Sequence, residues 1–241
     1  MSEGCKAKLK NKGRIAIMRA GMRGGRRLQR RAETLDRFTA MGSWAATVGD
    51  RLPRHWHDRY DLFREALRHV HGEAPLYMEF GVYKGDTLRW WSENIPAPNA
   101  RFVGFDSFEG LPEDWHDHAK AGMFALDTIP EPPDPRASFE VGWFDQTVPA
   151  FEPPPHDQLI VNIDSDLYSS AVVVLTELEP YLVPGTLIYF DELGDINHEL
   201  RAWREFLERT KMRVEALGMA NGGINWLFRV LPEAAPIQST A

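Results

Sequence analysis

Four short apolar segments of the chain each lead into an acidic residue, and these acids are the groups best suited to chemistry. Apolar runs of this length are typical of strands buried on both faces of a parallel sheet. In an open α/β sheet, ligands bind beyond the carboxyl ends of the strands. The sequence therefore predicts one acidic crevice for hydroxyl groups, cations or a positively charged cofactor. The segments are residues 77–81 with Glu79, 101–106 with Asp106, 158–164 with Asp164, and 185–192 with Asp191 and Glu192.

The first acid is followed by a glycine-containing turn. Gly81 and Gly85 follow Glu79 and precede a predicted helix over residues 87–93, and glycine lets a backbone turn sharply and approach a ligand closely. The turn matches neither the dinucleotide-binding glycine pattern nor the lysine-containing phosphate loop. Asp106 closes the next segment, where a carboxylate can accept hydrogen bonds from both hydroxyls of a ribose. These residues favour a nucleoside-bearing ligand with a cationic group.

The last two acidic segments suit a metal ion. Asp164 and Asp191 end strands that we expect to be neighbours, so their carboxylates should converge. Oxygen ligands without cysteine favour Mg²⁺ or Ca²⁺ over Zn²⁺. The candidate general bases are Asp164, Asp166 and His198. Alternatively, Asp166 caps the helix that follows it, and His198 is a solvent-exposed residue in the first turn of a helix.

The surrounding pattern predicts the elements that position these acids. Helical stripes occupy residues 60–70, 171–181 and 198–209, and a hairpin closes the chain over residues 212–231. Alternating strands and helices followed by a hairpin indicate a doubly wound α/β sheet with one antiparallel strand. Residues 113–137 form a proline-rich insertion, of the kind that often serves as a lid or binding loop. Its His116 and His118 lack a third ligand at a useful spacing, so we expect no zinc site there.

Charge divides the chain unevenly. Residues 1–40 carry a net charge of +9 and residues 41–241 a net charge of −16. We therefore expect a basic, flexible arm over residues 1–33 and a folded domain over residues 34–241. Cys5 is the only cysteine, which excludes an intramolecular disulfide and suits a reducing cytoplasm. We expect neither a secretory signal nor a transmembrane segment.

Three motifs together resemble the macrocin O-methyltransferase family. They are Glu79-Phe80-Gly81-Val82-Tyr83-Lys84-Gly85, Gly104-Phe105-Asp106-Ser107-Phe108-Glu109-Gly110-Leu111-Pro112 and Asp164-Ser165-Asp166-Leu167-Tyr168-Ser169-Ser170. The resemblance extends over roughly residues 75–230 and implies a class I S-adenosylmethionine-dependent enzyme that methylates sugar hydroxyls. It further implies a Rossmann-like, mostly parallel, seven-stranded sheet with a C-terminal antiparallel hairpin strand, and a divalent cation, usually magnesium.

Carried over by position, the resemblance assigns a cofactor site and a metal site. Asp106 would hold the ribose, and residues 142–144 would border the adenine, with Phe108 or Phe144 as a stacking surface; alternatively, Phe108 only anchors its loop. The metal ligands would be Asp164, Asp191 and Glu192, although this family more often has aspartate where Glu192 stands. The expected cofactor-binding residues are Glu79, Phe80, Gly81, Gly85, Thr87, Asp106, Ser107, Phe108, Gly142, Trp143, Phe144 and Asp164.

Three hypotheses follow. The first is a magnesium-assisted O-methyltransferase that uses S-adenosylmethionine to methylate a hydroxyl of a sugar, a glycoside or another small molecule. The second is a metal-independent small-molecule methyltransferase of the same fold. The third is a non-catalytic scaffold docked through its basic arm. We expect no specific nucleic-acid partner, and the family resemblance favours a homo-oligomer.

Overall fold

The computed structural model describes residues 3–233, with the side chains of residues 3–14 left out. The chain divides into two compact units, Met1–Trp44 and Ala45–Ala241. Helix α1 (Glu3–Val48) accounts for the first unit, and its helical geometry breaks at Gly25, where φ is 50° and ψ is −146°. The basic arm expected over residues 1–33 is therefore helical from Glu3. Its flexibility and the boundary at residue 34 stay predictions, and the Cys5 side chain lies outside the described part.

The second unit alternates strands and helices as the apolar pattern predicts. A 3₁₀ turn, Glu179–Tyr181, extends the fifth helix. Its strands and helices are β1 (His55–Trp56), α2 (Arg59–Leu67), β2 (Pro75–Phe80), α3 (Asp86–Asn94), β3 (Arg101–Asp106), β4 (Ala137–Val141), α4 (Phe144–Ala150), β5 (Gln158–Ile163), α5 (Tyr168–Leu178), β6 (Leu187–Phe190), α6 (Glu199–Thr210), β7 (Val214–Ala220) and β8 (Asn225–Val230).

One sheet contains all the strands, in the order β1-β7-β8-β6-β5-β2-β3-β4. Strands β4, β3, β2, β5 and β6 are parallel, and β8 runs antiparallel to both β6 and β7. This confirms the Rossmann-like fold with a C-terminal antiparallel hairpin. An eighth strand, β1, adds two residues that pair in parallel with the end of β7; its length is too short for a periodicity argument to detect.

The central strands are buried on both faces, as parallel strands covered by helices must be. Every residue of β2, β5 and β6 is buried. Large aromatic side chains fill the layer between sheet and helices, with Tyr77 stacked on Trp91 at 5.1 Å and Phe63 edge-on to Tyr189 at 4.8 Å. Most tryptophans of this unit therefore serve the core.

The proline-rich segment forms an insertion between β3 and β4. Residues 113–136 contain turns and one isolated bridge, His116 to Ala119, in agreement with the expected insertion. Helix α4 lies beyond this segment, and the sequence pattern did not predict it because its seven residues include Pro149 and are too few to show periodicity. Among the described residues, no helix is both long and apolar enough to cross a membrane.

Candidate active site

A cavity of about 760 Å³ opens at the carboxyl ends of β2, β3, β5 and β6. This volume lies within the range of about 300–1,000 Å³ that small-molecule and cofactor sites occupy. The cavity is therefore the crevice that the acidic strand ends predict. Twelve of the expected site residues line it, namely Glu79, Gly81, Thr87, Asp106, Ser107, Gly142, Trp143, Phe144, Asp164, Asp166, Asp191 and Glu192.

Glu79 is a buried carboxylate on the floor of the cavity, with 1% of its surface exposed. The hydroxyl of Tyr77 donates to its Oε2 at 2.6 Å, and Asn162 in turn donates to the Tyr77 hydroxyl at 3.1 Å. Loss of hydration raises the pKa of Glu79 to about 8, despite these hydrogen bonds and the positive charge of Arg59. A cationic ligand would lower this pKa again, which suits the ammonium or sulfonium group of the expected cofactor.

The turn after β2 brings two strand ends into direct contact. Gly81 has a φ of +98°, and a Cβ atom built on it would lie 1.9 Å from the carbonyl oxygen of Asp164. Only glycine fits there without displacing the backbone that carries the second acidic segment. Gly85 also has a positive φ, but a Cβ on it would meet only one atom, at 3.9 Å. The first glycine is thus required by close packing and the second by conformation alone.

Asp106 organises the cavity wall through its carboxylate. Oδ2 accepts hydrogen bonds from the backbone N–H groups of Val82 and Tyr83, both at 2.8 Å. Oδ1 accepts one from the N–H of Phe108 at 2.7 Å, and the remaining lone pair of Oδ1 is the one available to a ribose hydroxyl. Ser107 caps the same turn by accepting from the N–H of Glu109 at 3.1 Å.

Three of the expected cofactor-binding residues do not line the cavity. Phe80 is fully buried and stacks on Phe105 at 4.7 Å. Phe108 is 4% exposed and packs against Phe139, so it anchors its loop, which was the alternative reading of this residue. Gly85 occupies the N-cap position of α3. Of the two aromatic candidates for an adenine contact, only Phe144 borders the cavity, beside Trp143 at the start of α4.

Asp164 and Asp191 occupy adjacent strand ends, as expected. Ile163 of β5 pairs with Phe190 of β6, and each is followed directly by one of these acids. Burial, followed by repulsion from Asp191, Asp166 and other acids, raises the pKa of Asp164 well above its usual range. Such crowding of carboxylates costs free energy unless protons or cations neutralise them.

Asp166 lies on the same rim, in a left-handed conformation with a φ of +61°. It is not a helix cap, because Leu167 occupies the N-cap of α5 and makes no side-chain capping bond. Burial and the neighbouring Glu192, Asp191 and Asp195 raise its pKa to about 7. A strained backbone that holds an acid toward a cavity is typical of functional sites.

Arg59 supplies positive charge to this acidic rim. Its Nη1 lies 3.2 Å from both Oδ1 and Oδ2 of Asp191, although the two residues are 132 positions apart. Asp191 Oδ1 also accepts from the Tyr189 hydroxyl at 2.7 Å and from Asn225 Nδ2 at 3.0 Å. No sequence pattern predicts this contact, since Arg59 begins an ordinary amphipathic helix.

His198 lies outside the cavity and is not exposed as the alternative reading supposed. It takes the N-cap position of α6, and its Nδ1 accepts a hydrogen bond from the N–H of Tyr168 at 3.2 Å. Its ring lies 5.6 Å from that of His116, whose Nε2 pairs with Asp195 at 3.1 Å. Partial burial lowers the pKa of His198. Asp195 and His198 therefore lie beside His116 as potential metal ligands, with the three ligand atoms within 4.8 Å of one another. The expectation that His116 lacks further ligands was wrong in this respect.

Glu199 was missed entirely. It is fully buried at the start of α6, where its carboxylate contacts the loops after β5 and β6. A signal was present, because Glu199 stands in helical register with the buried Trp203 and Phe206. An acid within an apolar stripe indicates a buried, hydrogen-bonded carboxylate.

Comparisons with known proteins agree with this fold. Residues 78–193 match the Methyltransf_24 family, described as a methyltransferase domain. The crystal structure of CalS11, a calicheamicin methyltransferase, is 27% identical over 70% of this chain and 76% of that chain, with a TM-score of 0.56. The O-methyltransferase NovP shares the fold, at 20% identity over 72% of this chain and 80% of that chain, with a TM-score of 0.58.

None of the curated proteins matches the sequence. The domain match argues against the non-catalytic scaffold, whereas the narrower resemblance to the macrocin family stays a prediction. The matched residues 78–193 include all four acidic strand ends, from Glu79 to Asp191. The methyltransferase-domain match and the fold therefore indicate an S-adenosylmethionine-dependent methyltransferase with a Rossmann-like sheet.

Proposed function

We propose that the chain is an O-methyltransferase that transfers the methyl group of S-adenosylmethionine to a hydroxyl of a small molecule, with a sugar or glycoside as the preferred acceptor and a divalent cation as an assistant. One observation carries the proposal. A single cavity combines a nucleoside-type half, with Gly81 and Asp106, and an acidic half, with Asp164, Asp166 and Asp191. A donor and an acceptor hydroxyl can therefore meet in one pocket.

The cofactor half would bind through groups that are already oriented. Asp106 would accept from a ribose hydroxyl while its backbone bonds hold the turn, and Phe144 and Trp143 would border the adenine. The buried Glu79 would face the cationic part of the cofactor. Such fixed positioning matters because methyl transfer depends mainly on alignment of donor and acceptor, which can contribute several kcal/mol.

The acidic half fits a hard divalent cation. Its donors are carboxylate oxygens, which Mg²⁺ and Ca²⁺ prefer, and the crowding of Asp164 with its neighbouring acids leaves negative charge to be neutralised. Asp164, Asp191 and Glu192 would hold the ion, with magnesium the simplest choice. When bound, it would supply positive charge that favours the deprotonated form of an acceptor hydroxyl.

The general base would then be a carboxylate rather than the histidine. Asp164 and Asp166 both border the cavity, whereas His198 lies outside it, with one ring nitrogen engaged by a backbone N–H. We therefore assign proton removal to one of these two aspartates. His198 would instead help to hold the insertion against α6 through its contact with His116.

A metal-independent enzyme is the second candidate, and the Arg59–Asp191 pair favours it. The guanidinium already neutralises one of the expected metal ligands, at 3.2 Å. In that case the acids would hold acceptor hydroxyls directly.

Two experiments test the proposal. Calorimetric titration with S-adenosylhomocysteine should show micromolar binding, and the absence of binding would refute a methyltransferase site of this design. Complete chelation with EDTA should abolish methyl transfer to a sugar acceptor, and Mg²⁺ should restore it. Activity that survives chelation would select the metal-independent alternative. A small-molecule acceptor, a homo-oligomer and a cytoplasmic location stay predictions.

A further inference from the structure

Within the part of the chain that the structure describes, Glu199 is a buried acid with no basic partner. It is fully buried at the first position of α6, on the face that carries Trp203 and Phe206. Across residues 15–233, no ion pair between a basic side chain and Glu199 is found. A buried carboxylate is costly unless hydrogen bonds replace its lost hydration. The groups that donate hydrogen bonds to the Glu199 carboxylate indicate its structural role.

The two oxygens of Glu199 bind two different loops. Oε1 accepts from the backbone N–H of Ser165 at 3.0 Å and of Asp166 at 3.2 Å, with the Ser165 hydroxyl at 3.4 Å. Oε2 accepts from the backbone N–H of Glu192 at 3.1 Å. An acid in the first turn of a helix more commonly accepts from its own helix end. Here the hydrogen bonds lead instead to the loops that follow β5 and β6.

We infer that Glu199 is a positioning residue that fixes the distance between the two loops on which the acidic half of the active site is built. One loop carries Asp164 and Asp166, and the other carries Asp191 and Glu192. Glu199 itself does not border the cavity. The inference rests on the proposed function for the role of these acids. The hydrogen bonds from the two loops to Glu199, which we call the tether, exist whatever that role is.

The requirement for two oxygens makes the tether specific. Glutamine has the same shape, but one of its terminal groups is an amide NH₂, which cannot accept a hydrogen bond from a backbone N–H. Glu199→Gln can therefore hold only one of the two loops. Aspartate keeps both oxygens but is shorter by one methylene, so Glu199→Asp cannot span the same distance.

The test compares these two variants with Glu208→Gln, an exposed position on the same helix. Backbone amide hydrogen exchange is measured in residues 163–168 and 189–194, with S-adenosylhomocysteine present. Mn²⁺ serves as a spectroscopic probe of the cation site, and calorimetry reports S-adenosylhomocysteine affinity. Residues 79–87, which Glu199 does not touch, provide the internal exchange reference.

We expect faster exchange in one or both loops of Glu199→Gln and Glu199→Asp, with residues 79–87 unchanged. Mn²⁺ affinity should fall about 10- to 100-fold, as is usual when a group that supports metal ligands is lost. S-adenosylhomocysteine affinity should stay within about twofold, a separation that a general loss of folding would not produce. Glu208→Gln should match the wild type throughout.

Wild-type exchange in both loops of both variants would overturn the inference. Parallel loss of S-adenosylhomocysteine and Mn²⁺ binding would also overturn it, since Glu199 would then support the whole domain rather than the acidic half. A wild-type chain that binds S-adenosylhomocysteine but no Mn²⁺ would count against the cation of the proposed function. In that event the exchange measurement alone still decides whether the tether exists.

Discussion

Arg59 and Asp191 form an ion pair at 3.2 Å on the acidic rim of the cavity, with both carboxylate oxygens at the same distance from one guanidinium nitrogen. Arg59 is the first residue of α2, and Asp191 directly follows β6. The pair therefore joins the start of α2 to the carboxyl end of β6. It also means that a cation held by Asp191 must compete with a charge that the protein supplies itself.

Removal of the Arg59 charge should lower the stability of the protein and raise its affinity for a cation. We expect Arg59→Gln to lower the unfolding free energy of the ion-free protein by about 1–3 kcal/mol, because it leaves Asp191 without a charged partner. Cation affinity should rise roughly tenfold, which corresponds to about 1.4 kcal/mol of relieved competition. Urea unfolding in EDTA and Mn²⁺ titration check the two effects.

Arg64→Gln is the matched control, since Arg64 pairs with Asp61 on the exposed side of the same helix. It should change the unfolding free energy by less than about 1 kcal/mol. A fall in Mn²⁺ affinity in Arg59→Gln would show that the guanidinium assists the cation rather than competing with it.

Replacement of Asp106 should weaken the cofactor half alone. In Asp106→Asn, an amide NH₂ replaces one acceptor oxygen and faces backbone N–H groups, so the turn of Val82 and Tyr83 or that of Phe108 loses its anchor. We expect S-adenosylhomocysteine affinity to fall roughly 10- to 100-fold, or about 1.4–2.8 kcal/mol, by calorimetry. The exposed Asp127→Asn should bind normally; unchanged binding in Asp106→Asn would refute the ribose assignment.

Glu79 should make stability depend on pH. Its pKa is about 8 in the folded chain and about 4.5 when unfolded. Between these values the folded state keeps a proton that the unfolded state has lost, so its contribution to stability is present below pH 4.5 and declines as pH rises to 8. The slope is about 1.4 kcal/mol per pH unit.

Glu79→Gln stays uncharged and escapes this decline. The unfolding free energy of the variant minus that of the wild type should therefore grow between pH 5 and pH 8, as measured by urea unfolding in EDTA. Glu208→Gln should give a constant difference. A flat difference for Glu79→Gln would mean that the buried acid is already ionised at pH 5.

The two glycines of the first turn offer a matched pair of substitutions. Gly81→Ala forces a methyl group against the Asp164 carbonyl and adopts an unfavourable φ, so we expect a loss of at least about 3 kcal/mol. Gly85→Ala carries only the φ penalty, about 1–2 kcal/mol. Chemical denaturation distinguishes them, and equal losses would contradict the tight contact at Gly81.

The sheet and the acidic residues at its carboxyl edge could be predicted from local sequence patterns. Apolar runs that end in Glu79, Asp106, Asp164 and Asp191 became β2, β3, β5 and β6, because burial on both faces leaves a recognisable signature. Convergence of the four acids then follows from topology alone, since parallel strands present their carboxyl ends at one edge.

The long-range contacts made by or around those acids could not be predicted from the sequence. Arg59 and Asp191 are 132 positions apart in the sequence, and Glu199 and Ser165 are 34 positions apart. Hydrophobic periodicity carries no information about contacts at such sequence separations. Phe80 and Phe108 were assigned to the cofactor from motif membership, yet packing turns both into the core. Motifs locate a turn, whereas packing decides which of its side chains face the ligand.

The two margins of the sheet have a consequence for self-association. At one margin, the two residues of β1 cover the end of β7, which is further irregular between Ala216 and Gly218. At the other, β4 follows a proline-rich stretch and carries Glu140. Short strands, irregular ladders, prolines and charges all discourage the addition of a foreign strand. Two copies of this chain should therefore meet through helices or loops, and a continuous intermolecular sheet is the least favoured arrangement.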